Sequence, residues 1–360
     1  MKAAVCYEFG KPLVVEEVDM IPTPKGQVKI RLGASGVCHT DVHTLSGDLG
    51  GGLPLVAGHE VAGYVEEIGE GVTYVKPGDH VVASLMASNC GRCKYCIIGL
   101  PHQCVEIAPG RSDSGMRNKQ GQKIMQTVAV NGFSEYCLVR EATVVKIPED
   151  MPIDRAAIMT CGVASGFGAI INRAQVKAGS SVVVIGVGGV GVNCIQAAAY
   201  SGAYPIIAVD ILDEKLKLSH TFGATHTING KRDDAIDAVK ELTGGYGADY
   251  VFIAVGSVPV VNQGFLMSGK RGMTVVLGMM SAEETITMHP MDFHLGERML
   301  TGCFMGSTRF RLDIPWFISL YKAGLLKLDE IITARYSLDQ INEALASTAR
   351  GEALRNVIMY

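Results

Sequence analysis

The chain opens with MKAAVCYEFGKPLVVEEV, in which apolar and polar residues exchange with the period of two that predicts half-buried strand. Its most apolar region, about 180 to 210, has a different rhythm. Residues 182 to 193 read VVVIGVGGVGVN: an unbroken β-branched strand, a glycine turn, then an apolar helix interrupted by Asn193 and Gln196. The strand PIIAVD follows, with further strands predicted at THTI, ADYVFIAVG and GMTVVLG and helical patterns such as DDAIDAVKELTGG between them. Strands alternating with helices predict a parallel, doubly wound sheet, and therefore an α/β chain.

Length and composition add bounds. At 360 residues the chain exceeds what one core usually supports, so two domains are expected. Hydrophobic residues at 48% against 19% charged exclude a disordered chain. A net charge of −4 with scattered Lys and Arg leaves no basic stripe, so no nucleic-acid partner is expected. The start lacks the apolar run and cleavage site of a signal peptide, and glycines and polar residues break the most apolar region. Neither export nor a membrane segment is expected, and the location read from this is cytoplasmic.

Gly186, Gly188 and Gly191 form a G-x-G-x-x-G pattern between strand and helix, where dinucleotides bind. The first permits the tight turn, the second lets the backbone approach a pyrophosphate, and the third allows the helix to pack closely on the strand. Nineteen residues after Gly191, the next strand ends in Asp210. A carboxylate there accepts hydrogen bonds from the adenosine ribose and repels a 2′-phosphate, which selects NAD. The plainer reading is that Asp210 caps a helix beginning near Asp213.

Ten cysteines in a chain without an export signal point to metal or redox chemistry. CGRCKYCIIGLPHQC places Cys90, Cys93, Cys96 and Cys104 within fifteen residues, a spacing that suits a closed, tetrahedral structural zinc site. An iron–sulfur run closes with three residues and a proline instead. A second stretch, GVCHTDVH at residues 36 to 43, crowds ligand-type side chains into one turn, but by itself it could equally be a metal site, an acid-base site or a surface loop.

Taken with AGHEVAG at 57 to 63, TCGVASG at 160 to 166 and the closing LRNVIMY, these motifs resemble the zinc-dependent medium-chain alcohol dehydrogenases over nearly the whole chain. The segment CHTD followed by TLSG is similar to the subgroup containing glutathione-dependent formaldehyde dehydrogenase. The resemblance implies a GroES-like β-barrel catalytic domain over 1–162, completed by 304–360, around a Rossmann domain over 163–303, with the active site between them. It implies two zinc ions per subunit and a homodimer or homotetramer. The catalytic zinc would be held by Cys38, His59 and Cys161, with Glu60 as an alternating or outer ligand and Asp41 orienting His59. Thr40 would take the alcohol proton and His43 release it to solvent, imidazole being a group that titrates near neutrality. Ser165 and Val190 would meet the nicotinamide, Gly189 would join the glycine loop, His39 and Arg355 would face the pyrophosphate, and Lys215 the adenosine ribose.

The reaction implied is reversible hydride transfer between an alcohol and NAD, giving aldehyde or ketone and NADH. Three alternatives remain: a thiol-adduct (S-hydroxymethyl) formaldehyde dehydrogenase, a zinc-free quinone reductase, and a non-enzymatic zinc-binding module. Against the thiol adduct, VEIAP follows Cys104 where the formaldehyde-oxidising relatives carry an Arg, and glycines replace acids around Asp48. The nearest Arg after Cys104 is Arg111, seven positions on, and Arg111 or Arg117 would have to fold back to supply the charge, while Met86 stands where some relatives have an aromatic wall. His39 departs from the Arg found in other members. Cys6, Cys137, Cys194 and Cys303 are read as packing residues.

Overall fold

A computed structural model describes residues 1–84, 89–106, 112–127, 129–280 and 283–360. Met86 and Arg111 lie outside the described residues. The chain divides into two compact units, Met1–Cys161 with Arg309–Tyr360, and Gly162–Thr308. Among the described residues, no helix is long and apolar enough to cross a membrane.

The first unit is built on the long strand Gln27–Val37. It pairs antiparallel with Glu60–Ile68, with Tyr136–Arg140 and with Arg355–Met359, so the C-terminal strand closes a sheet opened near the N-terminus. His80–Ala83, Val144–Lys146 and Ile332–Ser337 complete the seven strands. One apolar cluster gathers Val28, Ile30, Leu32, Val61 and Val81 on this sheet. The alternating N-terminal stretch forms two strands, Lys2–Val5 and Val14–Glu17, folded on each other. Antiparallel neighbours this far apart in sequence follow from contacts that no local pattern announces.

Helix Ile153–Ile158 runs straight into a π-helical turn, Met159–Val163, which carries Cys161. The helix is pinned by Asp154, a buried carboxylate that accepts from Nη1 of Arg155 at 2.8 Å and Nε of Arg335 at 2.9 Å. Burial pushes this carboxyl up, but the two guanidinium groups outweigh it and hold its pKa below the usual carboxylate value. With the folded value depressed, the stabilisation is complete above the unfolded pKa of about 3.9 and is lost as pH falls through the folded value. Asp154→Asn should therefore lower Tm near neutral pH, and the gap from the parent should shrink as pH falls below about 4. A gap constant down to acid pH would remove the ion pairs from the account.

The second unit is a six-stranded parallel sheet in the order His226–Asn229, Ile206–Asp210, Val182–Ile185, Ala248–Ile253, Ser268–Val276, Met299–Gly302. Numbered within the unit this is 3-2-1-4-5-6, the dinucleotide-binding order whose crevice opens at the carboxyl ends of its central strands. The predicted strands and the helices Gly191–Tyr200, Asp213–Ser219 and Ala235–Leu242 are all present.

Candidate metal and cofactor sites

Strand Gln27–Val37 ends at Cys38, which caps helix His39–Ser46. Asp41, in the first turn of that helix, accepts the Cys38 backbone N–H at 3.0 Å through Oδ2. Its other oxygen accepts from the Gly58 N–H at 3.1 Å and lies 2.9 Å from Nδ1 of His59. A carboxylate only accepts, so Nδ1 carries the proton and Nε2 is left as the donor atom for a metal.

Cys38, His59, Glu60 and Cys161 are all buried, and one ligand atom from each lies within 4.8 Å of the others. Four residues spread over more than a hundred positions converge because the end of strand Gln27–Val37, the start of strand Glu60–Ile68 and the π-turn meet there. Hydrogen bonding with Cys161 holds the Cys38 thiol well below its ordinary pKa, helped by Arg355 and His59, while the Cys161 thiol is raised. Burial opposes charging of His59, but the Asp41 carboxylate outweighs it and raises the imidazole pKa. Two thiols and one oriented imidazole fit zinc in a site that keeps a position open. The fit has a further sign: among the described residues both Glu60 oxygens are buried without a well-aligned hydrogen bond, and Nη1 of Arg355, at 3.1 Å, is the ion-pair partner that balances the charge. Burial pushes the Glu60 carboxyl up to about 7.

Sequence reasoning placed Arg355 at a pyrophosphate and found no role for Gly36. In the structure Arg355 is buried, pairs with Glu60, and donates to the Val37 carbonyl at 3.2 Å. Gly36 lies opposite Glu60 in the strand register, and a Cβ there would fall 2.1 Å from Glu60 Oε2. The missing side chain is the slot that the carboxylate fills. Gly36→Ala should cost about 1–3 kcal/mol in denaturant unfolding of the metal-loaded protein. The cost should shrink in a Glu60→Ala background, since the clashing group is gone. Equal costs in both backgrounds would separate Gly36 from Glu60. The signal available in the sequence was a glycine two residues before Cys38, but only the register gives it meaning.

Thr40 and His43 stand one turn apart on helix His39–Ser46. The Thr40 hydroxyl oxygen lies 3.7 Å from Cys38 Sγ. His43 is exposed, with Nδ1 2.8 Å from Asp48 Oδ2, and that contact lowers the Asp48 pKa. His39 is exposed, its ring centroid 6.2 Å from that of His43.

The second metal set lies around the short helix Lys94–Ile97. Cys93 Sγ is 3.5 Å from Cys96 Sγ and 3.9 Å from Cys104 Sγ, and Cys90 Sγ is 4.0 Å from Cys96 Sγ. Four bonds of about 2.3 Å in a tetrahedron place sulfurs about 3.8 Å apart, so the quartet fits one zinc ion. Backbone N–H groups of Cys90, Cys93 and Glu106 point at the sulfurs from 3.3 to 3.4 Å. Such donors bring the Cys93 thiol down to about 6, whereas burial takes Cys96 up to about 12. The remaining cysteines lie apart from both sets, and Cys6, Cys137 and Cys194 are buried.

In the second unit, the glycine loop leaves strand Val182–Ile185 with Gly186 at φ +90°. A Cβ on Gly191 would meet the Gly186 carbonyl oxygen at 1.8 Å, so the helix starts in contact with the turn. A Cβ on Gly188 would meet nothing within 4 Å, so protein packing does not require a glycine there. Asp210 ties the turn together, accepting the Val187 N–H at 2.7 Å with Oδ2 and those of Ile211 and Leu212 at 2.7 and 3.0 Å with Oδ1. It does more than begin a helix. Lys215 follows in the first turns of Asp213–Ser219, Val190 and Gly189 precede Gly191–Tyr200, and the buried Ser165 hydroxyl lies 3.6 Å from Met305 Sδ.

Known proteins are similar to this chain over nearly its whole length. Residues 24–149 match the alcohol dehydrogenase GroES-like domain and residues 189–322 the zinc-binding dehydrogenase family. The NDMA-dependent alcohol dehydrogenase of Amycolatopsis methanolica is 38% identical, covering 100% of this chain and 98% of its own. The S-(hydroxymethyl)glutathione dehydrogenase of Paracoccus denitrificans is 36% identical over 100% of this chain and 99% of its own. The crystal structure of benzyl alcohol dehydrogenase from Acinetobacter calcoaceticus superposes with a TM-score of 0.93 at 33% identity, covering 99% of this chain and 98% of that one. This chain belongs to the zinc-dependent medium-chain alcohol dehydrogenases, near the formaldehyde dehydrogenase subgroup, and is an alcohol oxidoreductase of GroES-like and Rossmann α/β architecture.

Proposed function

We propose that the chain is an NAD-dependent dehydrogenase of free alcohols and aldehydes, with its catalytic zinc held by Cys38, His59 and Cys161 and its structural zinc by Cys90, Cys93, Cys96 and Cys104. The observation that carries the reading is the buried convergence of Cys38, His59 and Cys161, with His59 turned by Asp41 so that Nε2 is available. When bound, zinc would supply Lewis acidity toward the substrate oxygen and the dinucleotide a hydride acceptor.

The chain's own residues do the rest. Asp41 fixes the imidazole tautomer. Glu60, balanced by Arg355, supplies a carboxylate beside the ligands, as an outer or alternating ligand. Thr40 is the proposed acceptor of the alcohol proton, and His43, oriented by Asp48 at the solvent-exposed face, the group that releases it. Gly186, Gly188, Gly189, Val190 and Gly191 form the dinucleotide cradle, Asp210 receives the adenosine ribose with Lys215 beside it, and Ser165 and Val190 face the nicotinamide. His39 and Arg355 keep their proposed side toward the pyrophosphate, the second while also neutralising Glu60. The proposed setting is the cytoplasm, as a homodimer or homotetramer.

Two features favour a free alcohol over an anionic thiol adduct. Arg117 is held by Asp113 through bonds of 2.8 and 2.9 Å, and Asp48 is engaged by His43. Losing a charge-assisted hydrogen bond of about 1.5–3 kcal/mol would cost the adduct about ten- to a hundredfold in kcat/KM. Steady-state NAD reduction with primary and aromatic alcohols should exceed that with S-hydroxymethylglutathione; an adduct preferred by about tenfold or more would overturn this choice.

His43→Gln should lower turnover while leaving zinc content unchanged, and added imidazole buffer should restore part of it by carrying the proton in its place. Turnover that does not respond to imidazole would take His43 out of the relay.

A further inference from the structure

The adenosine end of the glycine loop contains a guanidinium that the NAD reading does not use. Asp210 and Asn229 are register partners at the carboxyl ends of adjacent parallel strands, the edge where ligands bind in such sheets. Just beyond, the Asn229 side-chain amide donates to Asp213 Oδ1 at 2.7 Å. Arg232 closes back on the same carboxylate, with Nη1 to Oδ2 and Nη2 to Oδ1 both at 2.7 Å. Its backbone N–H is fixed by the Asn229 carbonyl at 3.0 Å, so the side chain starts from a defined point.

A planar guanidinium near the ribose carboxylate is the group that accommodates a 2′-phosphate at sites of this kind. Here its fork is filled by Asp213 in the bidentate geometry that a phosphate would otherwise take. We infer that Asp213 is a second specificity-determining residue, which masks Arg232 and so holds NADP binding weaker than it would otherwise be, even where Asp210 is relieved. The inference rests on the reading that Asp210 faces the adenosine ribose.

Both partners are more than half exposed, their side chains retaining 61% and 63% of their accessible surface. Opening such a pair costs the fold little, because solvent screens it. It also limits the mask: Asp210 remains the main barrier and Asp213 a smaller one, visible best once Asp210 is removed.

The test uses zinc-loaded full-length protein and titration calorimetry with NAD and NADP. The variants are Asp210→Gly, Asp210→Gly with Asp213→Asn, and that pair with Arg232→Gln. Asp210→Gly alone should tighten NADP. Adding Asp213→Asn should tighten it by about a further fivefold while NAD changes less than about twofold, and Arg232→Gln should cancel that second gain. The last step separates unmasking of Arg232 from simple removal of a negative charge and from any contribution of Lys215. If Asp210→Gly leaves NADP binding unchanged, the ribose reading fails and the masking falls with it. If that variant responds but Asp213→Asn adds nothing, or its gain survives Arg232→Gln, the ribose reading stands and the masking is wrong.

Discussion

Cys161→Ser should bring alcohol oxidation to the limit of detection while the protein stays folded. A serine hydroxyl does not supply the thiolate that the site uses to balance a divalent charge, and catalytic sites of this ligand set depend on all three protein donors. The π-turn Met159–Val163 is held by its own backbone and by the Ser84 hydroxyl donating to the Thr160 carbonyl at 3.2 Å. The cysteine quartet lies outside this set and keeps its own ligands. Zinc content should therefore fall by one ion per chain, with far-ultraviolet circular dichroism unchanged. Unfolding of the variant would instead make Cys161 a structural residue.

The second large effect contrasts two neighbouring glycines. Gly191→Ala should both destabilise the second unit and abolish NAD binding, since a Cβ 1.8 Å from the Gly186 carbonyl oxygen forces helix and turn apart. Overpacking against backbone costs about 1–3 kcal/mol or more. Gly188→Ala should leave Tm of the cofactor-free protein unchanged, because its Cβ meets no protein atom within 4 Å. NAD affinity should nevertheless fall by about tenfold or more, the methyl standing where the pyrophosphate must approach the backbone. Calorimetric titration and thermal unfolding of both variants measure this. Full NAD affinity in Gly188→Ala would mean that the loop is not the cofactor cradle.

What was legible in the sequence is what short-range spacing encodes. The glycine loop and the cysteine quartet each lie within fifteen residues of chain, and the alternation of strand and helix is written element by element, so residue type and interval suffice. The first unit was less legible, because its sheet joins Arg355–Met359 to Gln27–Val37 across most of the chain. The same distance hid the triple of Gly36, Glu60 and Arg355: a buried carboxylate, its counter-charge and the empty slot meet only through strand register. Asp48 stands in the loop that bears on substrate charge, and its contact with His43 is a feature that spacing does not announce. Asp213 opens its helix by position alone, and its contact with Arg232, nineteen residues on, exists only in the fold.

Of the two metal sets, one gathers four sulfurs and the other offers two sulfurs, one nitrogen and a nearby carboxylate. The central claim, that this is a two-zinc alcohol dehydrogenase with separate structural and catalytic ions, is tested most directly by elemental analysis during chelation. The account predicts two zinc ions per chain. One should leave readily, with alcohol oxidation lost in proportion and recovered on adding zinc, while the other stays with the folded protein. A single ion, iron in place of zinc, or full activity after the exchangeable metal has gone would contradict it.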